Sequence, residues 1–411
     1  MAKYILKRLF QIILTLWIYL TIVFLLLYLQ PGDITSFFIN NRTPPEVREQ
    51  IKAQFGLNKP IWEQYTNVMT NFVTLNLGVS FKEYPRPVWD IVTERMPRTA
   101  LLFVTAAIIS FCFGFILGRL IGWRRGAALE YVSTVSGVFL WTVFTPWFAL
   151  LMIWLFAFNF QWFPLKGFID QNLWPGVQQV ADVSCDLTGG TNCANFVFNH
   201  ILLTALVVTL ILGAAFIISR FFAEQRTRWL INGSALAITV IGVFNYWSNS
   251  IGDVKVGGIF ATRPLSMMDL AGDILYHMIL PIITLTLISF AGTMLLTRNT
   301  MLESLREDYI MAARAKGLPD KAVRDRHAAR NALLPVATYF VIGLALSVDG
   351  SIFIEKIFTW KGMGWTLLSS ATDQDYPVII GALVFTGIFA LFAHLAADVL
   401  YALLDPRIRY D

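Results

Sequence analysis

Charged residues are scarce in this chain, and their scarcity limits what the protein can be. Only 14% of its 411 residues are Asp, Glu, Lys or Arg, whereas a soluble domain carries about 25%. Hydrophobic residues make up 56%, and the net charge is only +5. The composition therefore predicts a polytopic membrane protein, and it argues against a nucleic-acid-binding one.

Short motifs that carry common enzymatic chemistry are also missing. The sequence contains no Gly-x-x-x-x-Gly-Lys-Ser/Thr, so the chain has no P-loop for ATP. It contains no His-Glu-x-x-His, no Gly-x-Ser-x-Gly and no Cys-x-x-Cys. No motif in the sequence therefore supports a membrane-bound protease or transferase. We expect neither a catalytic site, nor a metal site, nor a cofactor in this chain.

Apolar runs near 20 residues, the length that spans a bilayer, occur eight times. Basic residues precede the first run, as in a signal peptide. Its apolar core is too long for one and no small-residue cleavage site follows, so we interpret it as a retained anchor. The predicted spans are residues 9–29, 99–118, 131–158, 201–219, 229–247, 274–297, 332–348 and 378–404. The chain is thus predicted to be an all-α polytopic membrane protein.

Basic residues are distributed unevenly between the two sides of these spans. With the N-terminus in the cytosol, the cytosolic segments hold nineteen of the 32 Lys and Arg residues, and the short external loops hold five. The positive-inside rule then places both termini and residues 298–335 in the cytosol.

Ionisable residues within the predicted spans are few: His277, His394 and Asp398. His394 and Asp398 are four residues apart on one helix face, a spacing that a proton relay could use. Asp398 lies near the cytosolic end, so structural pairing or solvation is the favoured interpretation. A proton- or sodium-driven transporter ordinarily has more charge at the midplane, which favours a transporter that draws its energy from a partner.

Cysteine is rare, with three residues in the chain. Cys112 lies inside a predicted span, whereas Cys185 and Cys193 lie in a predicted external segment with a Gly-Gly pair between them. This spacing favours a disulfide loop on an oxidising side of the membrane. Metal binding is the alternative, although no cluster of His or carboxylate residues lies nearby.

Glycine and proline mark two further features. Gly114, Gly118 and Gly122 recur at four-residue spacing in the second span, which predicts close packing against another helix. The external segment before that span predicts a small helical cap, with one helix from Thr43 to Gly56 and further helices beginning at Pro60 and Pro87, the last of them ending before Pro97. The cap is either an ordinary loop of a membrane protein or part of a surface on which another protein docks.

Eight Lys and Arg residues concentrate in residues 298–335, hereafter the elbow. Residues 306–316 favour a helix, Gly317 suits the left-handed position that ends it, and Pro319 can open the next helix. A solvated loop would explain the charge. It would not explain the small residues Ala312, Ala313 and Gly317, which allow another protein to approach the backbone closely.

The elbow also carries a family resemblance. Ala-Ala-x-x-x-Gly, within Asp-Tyr-x-x-x-Ala-Arg-Ala-Lys-Gly-Leu and followed by Arg-His-Ala-x-Arg-Asn-Ala-Leu-Leu-Pro, resembles the "EAA" loop of ABC-importer permeases of the dipeptide/oligopeptide (peptide/nickel) branch. Met311 stands where the family name has Glu. In that family the loop docks into the ATPase subunit. The resemblance implies this role for Asp308, Tyr309, Ala312, Ala313, Arg314, Lys316, Gly317, Leu318 and Pro335.

The resemblance covers residues 1–165 and 270–411 and implies a type I permease core of six helices. Two further spans then form an insertion. The predicted divisions are an anchor helix (1–30), the external cap (31–98), two core spans (99–165), the insertion with its external loop (166–270) and three core spans with the elbow (271–411).

The resemblance further implies partners. They are a second homologous permease, two ATP-binding subunits that bind ATP and Mg, and an extracytoplasmic substrate-binding protein. Peptides are the implied substrate, with nickel chelates and oligosaccharides as alternatives within the family. A stand-alone secondary transporter or channel is the alternative outside it.

Overall fold

The structure is a computed structural model. It describes residues 2–28, 59–74, 76–80, 82–170, 174, 179–180, 183–184, 191–222, 224–248, 250–255, 262–346, 351–373 and 375–404. The chain divides into two compact units. The larger contains residues 1–152 and 281–411, and the smaller contains residues 153–280. The smaller unit includes the predicted insertion and extends beyond it at both ends.

Helices dominate both units, as the composition predicts. In chain order they are α1 (Ala2–Tyr28), α2 (Ile61–Val73), α3 (Val88–Trp123), α4 (Ala128–Thr142), α5 (Thr145–Met152), α6 (Thr191–Arg220), α7 (Gln225–Trp247), α8 (Met267–Ser304), α9 (Asp308–Ala315), α10 (Asp320–Ala322), α11 (Ala329–Leu346), α12 (Ile352–Ile357), α13 (Met363–Thr372) and α14 (Tyr376–Leu404). Two π-helical segments, Ile153–Asn159 and Val323–Ala328, continue α5 and α10.

Two short β-hairpins, which the sequence analysis did not predict, belong to the smaller unit. The strands β1 (Gln179–Val180) and β2 (Val183–Ser184) pair antiparallel. The strands β3 (Ser250–Lys255) and β4 (Thr262–Ser266) do likewise, from Ser250↔Ser266 to Lys255↔Thr262.

In the described residues, each of the eight predicted spans overlaps helix. Within the described residues, five helices are long and apolar enough to cross a membrane, or six if the bent pair α4–α5 counts as one span. The helices α11 and α14 match the last two predicted spans, although the apolar part of α14 that is described in detail ends at Leu391. The count of eight therefore stays a prediction.

The third predicted span, residues 131–158, is not one straight helix. The chain bends by 107° between α4 and the segment Thr145–Asn159. Pro146 explains the break, because proline has no backbone N–H to donate to Thr142 and its ring would crowd that carbonyl. A helix can restart at Thr145 since a proline is well tolerated in its first turn.

The predicted C-terminal end of the helix that begins at Pro87 is also wrong. Pro87 caps α3 as expected, but α3 continues through Pro97 for 36 residues and crosses the predicted boundary at residue 98. An internal proline costs about 3 kcal/mol. Packing on both sides of Pro97 offsets this cost, since Val92 and Met96 before it and Leu102 after it are buried.

Apolar packing joins α3 to the C-terminal helices of the larger unit. One core cluster contains Val88, Ile91, Val92 and Met96 of α3 together with Met363, Val378, Ala382 and Phe385. A second cluster joins Leu20 of α1, Phe72 of α2 and Val384 of α14. The helix predicted to begin at Pro60 is thus confirmed as α2 and packs beneath α1 and α14. The predicted Thr43–Gly56 helix lies outside the described residues.

The glycine stripe packs α3 against α8, as predicted. A Cβ on Gly114 would lie 2.6 Å from the Phe290 carbonyl oxygen, and one on Gly118 would lie 2.5 Å from that of Met294. A Cβ on Gly122 would lie 2.9 Å from Met301 Cβ. The two backbones therefore approach too closely for any larger side chain.

In the smaller unit, α6 and α7 form a helical hairpin with mostly exposed apolar faces. Only 11% of the apolar window of α6 and 6% of that of α7 is buried. Such surfaces suit contact with lipid or with another subunit. Because the six core spans that the resemblance implies are complete without this pair, we expect the pair to lie outside the translocation path.

The first turns of α8 anchor a loop within the smaller unit. Asp273 accepts hydrogen bonds from the Asp170 backbone N–H at 3.0 Å and from Trp174 Nε1 at 2.7 Å. Trp174 is fully buried, and His277, one turn further along α8, lies beside Asp273 with 3.3 Å between Nδ1 and Oδ1. His277 thus pairs structurally with a neighbouring carboxylate.

Candidate functional site

The elbow consists of two helical segments joined by a tight turn, as predicted. The helix α9 ends at Ala315, and α10 begins at Asp320 after the N-cap Pro319. The π-helical segment Val323–Ala328 then carries the chain directly into α11. Pro335, the last residue of the elbow, lies inside α11.

Gly317 closes α9 in the left-handed conformation that the sequence predicts, with φ of 72°. Its N–H donates to the Arg314 carbonyl at 2.9 Å, and the Leu318 N–H donates to the Ala313 carbonyl at 3.4 Å. This pair of bonds is a Schellman motif, which satisfies the last carbonyls of a helix. A Cβ on Gly317 would meet no atom within 4 Å, so conformation alone calls for glycine here.

The inner side of the elbow has its own apolar core. Ile310, Ala313 and Val323 are buried there, together with Met301 of α8 and Ala332 of α11. The partly buried residues packed around this core are Phe115 and Trp123 of α3, with Leu305 and Tyr309. The elbow is therefore folded onto the ends of α3 and α8, and a displacement of one would displace the other.

The burial of Ala313 corrects one part of the sequence interpretation. Its side chain is only 4% exposed, so its small size serves packing within the chain and does not open a path to a partner. Ala312 and Gly317 are exposed, as the interpretation requires.

An exposed patch covers the outer side of α9. It contains Ala312 and Gly317 together with two apolar side chains, Met311 at 64% exposed and Leu318 at 38% exposed. Asp308, Arg314 and Lys316 border the patch and are also exposed. Sequence reasoning did not assign Met311 a role, although an apolar residue in a charged loop was the available signal. The patch presents apolar surface between charges, which suits a protein partner.

Ion pairs fix the elbow to neighbouring elements. Arg119 Nη1 of α3 lies 3.4 Å from Asp325 Oδ1, and Arg324 Nε donates to the same oxygen at 2.7 Å. The hydrogen bond from Arg324 lowers the pKa of Asp325, so this carboxylate stays charged between the two guanidinium groups. At the start of the elbow, Arg298 Nε donates to Glu130 of α4 at 2.7 Å.

A second polar constellation, which sequence reasoning missed, lies near the other end of α3. Glu355 of α12 is fully buried and accepts hydrogen bonds from Thr99 Oγ1 at 2.6 Å and from the Trp365 N–H at 2.8 Å. Thr99 Oγ1 in turn accepts the Met363 N–H at 2.7 Å. A Cβ on Gly362 would collide with Thr99 and Glu355. Burial raises the pKa of Glu355 to about 7.

Arg98 extends this constellation and is also buried. Its Nη2 donates to Glu94 at 2.7 Å, its Nη1 donates to the Lys361 carbonyl at 3.2 Å, and its own carbonyl accepts Trp360 Nε1 at 3.1 Å. These bonds tie the first half of α3 to the segment between α12 and α13.

The structure describes some of the cysteine and ionisable residues that the sequence singled out. Cys193 is disulfide-bonded and Cys112 is free. Cys185, the predicted disulfide partner of Cys193, lies outside the described residues, so the pairing of these two cysteines stays a prediction. His394 is exposed, and the side chain of Asp398 lies outside the described part. Among the described residues, no group of three or more His, Cys, Asp or Glu side chains could hold a metal ion.

Comparison with known proteins gives two family matches. The family described as "Binding-protein-dependent transport system inner membrane component" matches residues 110–410. The N-terminal part of the membrane component of such systems matches residues 1–103. Together the two matches cover almost the whole chain.

Individual relatives are similar over their full lengths. The chain is 28% identical over 410 residues to the oligopeptide transport system permease protein of Bacillus subtilis, with 100% of both chains covered. It is 28% identical to the dipeptide transport system permease protein of Escherichia coli (strain K12), covering 100% of this chain and 99% of the relative. The corresponding dipeptide permease of Lactococcus lactis is 26% identical, with 100% of both covered.

Proposed function

Because the chain belongs to the family of inner membrane components of binding-protein-dependent transport systems, we propose that it carries peptides across the cytoplasmic membrane as one subunit of an ATP-driven importer. Its membership makes it a multi-pass inner membrane protein and a permease subunit, and not an enzyme. The relatives named as oligopeptide and dipeptide permeases support peptides as the substrate.

The elbow carries this proposal. It is folded onto the ends of α3 and α8 by a buried core, and it leaves Met311, Ala312 and Leu318 exposed on its outer side. An ATPase subunit that binds this patch in one nucleotide state more tightly than in another would shift the spans between two conformations. Such a difference in binding free energy is what coupling requires.

The proposed complex contains a second, similar permease, two ATP-binding subunits and an extracytoplasmic binding protein. ATP and Mg bind in the ATPase subunits, and we expect no cofactor in this chain. Both termini lie in the cytosol, on the side of the elbow, in accordance with the distribution of basic residues. Specificity between peptides, nickel chelates and oligosaccharides then depends largely on the binding protein.

Purification and reconstitution test the proposal. A tagged form of the chain should co-purify with two ATPase chains and a second permease. Vesicles that contain this complex should accumulate a labelled dipeptide or oligopeptide only under two conditions. ATP must be present on the side of the membrane that carries the ATPase subunits, and the binding protein must be present on the opposite side. A chain that purifies alone and transports along an ion gradient would be a secondary transporter, and would refute the proposal.

A further inference from the structure

A short turn directly before α3 has an internally fixed backbone. The turn comprises residues 79–87, of which residue 81 lies outside the described part, and a bridge between Val79 and Pro87 closes it. The Ser80 N–H donates to the Arg86 carbonyl, and the Arg86 N–H donates to the Glu83 carbonyl, both at 2.9 Å. The Glu83 N–H donates to Ser80 Oγ, also at 2.9 Å. We call it the bridged turn.

Side chains fix the bridged turn to the helices around it. Ser80 is fully buried and donates to Asp375 at the start of α14, while Lys82 pairs with Asp373 at the end of α13. Glu83 Oε1 accepts from Arg95 of α3 at 2.8 Å, and its other oxygen accepts from Arg86 at 2.8 Å. The described residues of the turn are therefore bonded to α3, to the end of α13 and to the residue before α14.

Tyr84 projects from this fixed turn and is 70% exposed. A tyrosine at a membrane surface is often an anchor in the lipid interface. Here, however, charged residues that form ion pairs stand directly before Tyr84 and, beyond Pro85, after it. Lys82 pairs with Asp373, and Glu83 pairs with Arg86. An exposed aromatic ring on a rigid, charged turn is typical of a protein-binding surface, since little conformational entropy is lost on contact.

The length of α3 determines which partner can reach Tyr84. The helix α3 runs from Val88, next to the bridged turn, to Trp123, which packs against the elbow core. Its 36 residues measure about 54 Å at 1.5 Å per residue, more than the roughly 40–45 Å of a bilayer with its headgroups. The bridged turn and the elbow therefore lie on opposite sides of the membrane.

We propose that the bridged turn is a docking surface for the extracytoplasmic binding protein, with Tyr84 as its central contact. The inference rests on the proposed function: if the ATPases bind the elbow in the cytosol, the bridged turn faces the exterior, where the binding protein arrives. The complementary site on that protein is an apolar pocket that admits a phenol ring and offers an acceptor for its hydroxyl group.

Direct binding measurements test this surface in the assembled complex. The complete permease–ATPase complex is placed in nanodiscs, and the Kd of the system's purified binding protein is measured by biolayer interferometry. Tyr84→Ala should raise this Kd about 10- to 30-fold, as truncation of a central interface residue does. Tyr84→Phe, which keeps the ring and loses only the hydroxyl group, should raise it by a smaller factor, about two- to tenfold. Tyr131→Ala is the matched control, because Tyr131 is 74% exposed but lies beyond the other end of α3.

Photo-cross-linking identifies the occupant. Benzoyl-phenylalanine at position 84 should form an adduct with the binding protein, identified by mass spectrometry. A Tyr84→Ala Kd within twofold of the native value, or an adduct only with the second permease or with lipid, would overturn the inference. The proposed function fails separately, if no ATPase subunits co-purify with the native chain.

Discussion

Arg314 places its guanidinium carbon 5.7 Å from the centroid of the Trp123 ring, so the first helix of the elbow contacts the last residue of α3. A cation–π contact of this kind contributes about 0.5–1 kcal/mol at an exposed site. Asp325, in the second part of the elbow, pairs with Arg119 one turn earlier in α3. Both parts of the elbow therefore hold the same helix end, and a partner that moves the elbow also moves α3.

Gly317→Val should abolish coupling while leaving the protein in the membrane. A β-branched residue strains the left-handed conformation by roughly 1–2 kcal/mol and adds bulk to the exposed patch, but its Cβ would meet nothing within 4 Å beyond the two chain neighbours. We expect normal expression with loss of substrate-stimulated ATP hydrolysis and uptake in reconstituted vesicles. Gly126→Val is the matched control, since Gly126 has φ of 79° and equally open surroundings outside the elbow. Transport by the Gly317 variant at the native rate would remove the elbow from the mechanism.

The two adjacent alanines of the elbow should respond differently to the same substitution. Ala313→Leu overfills a buried core and should lower the free energy of unfolding by about 1–3 kcal/mol, measured by thermal unfolding in detergent. Ala312→Leu is on the exposed side, so it should leave the unfolding temperature unchanged and reduce co-purification of the ATPase subunits. If Ala312→Leu assembles and hydrolyses ATP normally, the exposed patch is not the ATPase contact.

Glu355 should make the stability of the protein depend on pH. Its folded-state pKa of about 7 lies above its ordinary value of 4.5, so the folded state binds the proton more tightly. Stability from this group is greatest below pH 4.5, falls as the pH rises to 7, and is then constant, for a total of roughly 3 kcal/mol.

Glu355→Gln should remove this dependence, because the amide stays neutral and can still accept one N–H and donate to Thr99. The unfolding temperature of the native protein should fall between pH 5 and 8 relative to that of the variant. If the unfolding temperatures of the two proteins changed in parallel with pH, Glu355 would not titrate in this range.

Cys185 and Cys193 should be joined in the assembled protein. A non-reduced digest analysed by mass spectrometry should yield one cross-linked peptide that contains both residues. Cys112, which is free and exposed, serves as the internal control and should be alkylated before reduction. Alkylation of Cys185 and Cys193 in native protein would contradict the pairing.

The bend between α4 and α5 gives the topology a direct test. If the bent segment crosses the membrane, a cysteine introduced at residue 225 should react with an impermeant maleimide only from the cytosolic side, and one at residue 255 only from outside. Replacing Cys112 with serine gives a suitable background. Labelling of residue 225 from outside would refute the eight-span topology and make the bent segment a re-entrant loop.

Local sequence patterns predicted the features that depend on local geometry. Gly317 was placed correctly because a helix end next to a proline needs a left-handed residue, and Gly118 because a four-residue stripe marks one helix face. The side on which Ala313 lies was not predictable, since both alanines are small and only the packing of α3 and α8 distinguishes them.

Contacts between distant residues were not predictable from such patterns. Thr99 and Glu355 are 256 positions apart and belong to no recognisable motif, yet they form one hydrogen bond in a buried network. The continuation of α3 through Pro97 was unpredictable for a related reason: the intrinsic effect of proline is to end a helix, and tertiary packing on both sides overrides it.

The glycine contacts between α3 and α8 limit how the larger unit can deform. Sliding α3 along α8 would press the backbone at Gly118 into the Met294 carbonyl, and tilting it would open a gap that lipid or side chains would have to fill. Residues 114–122 of α3 and the facing stretch of α8 therefore act as one stiff unit next to the elbow. A conformational change of the larger unit would therefore be accommodated outside this contact.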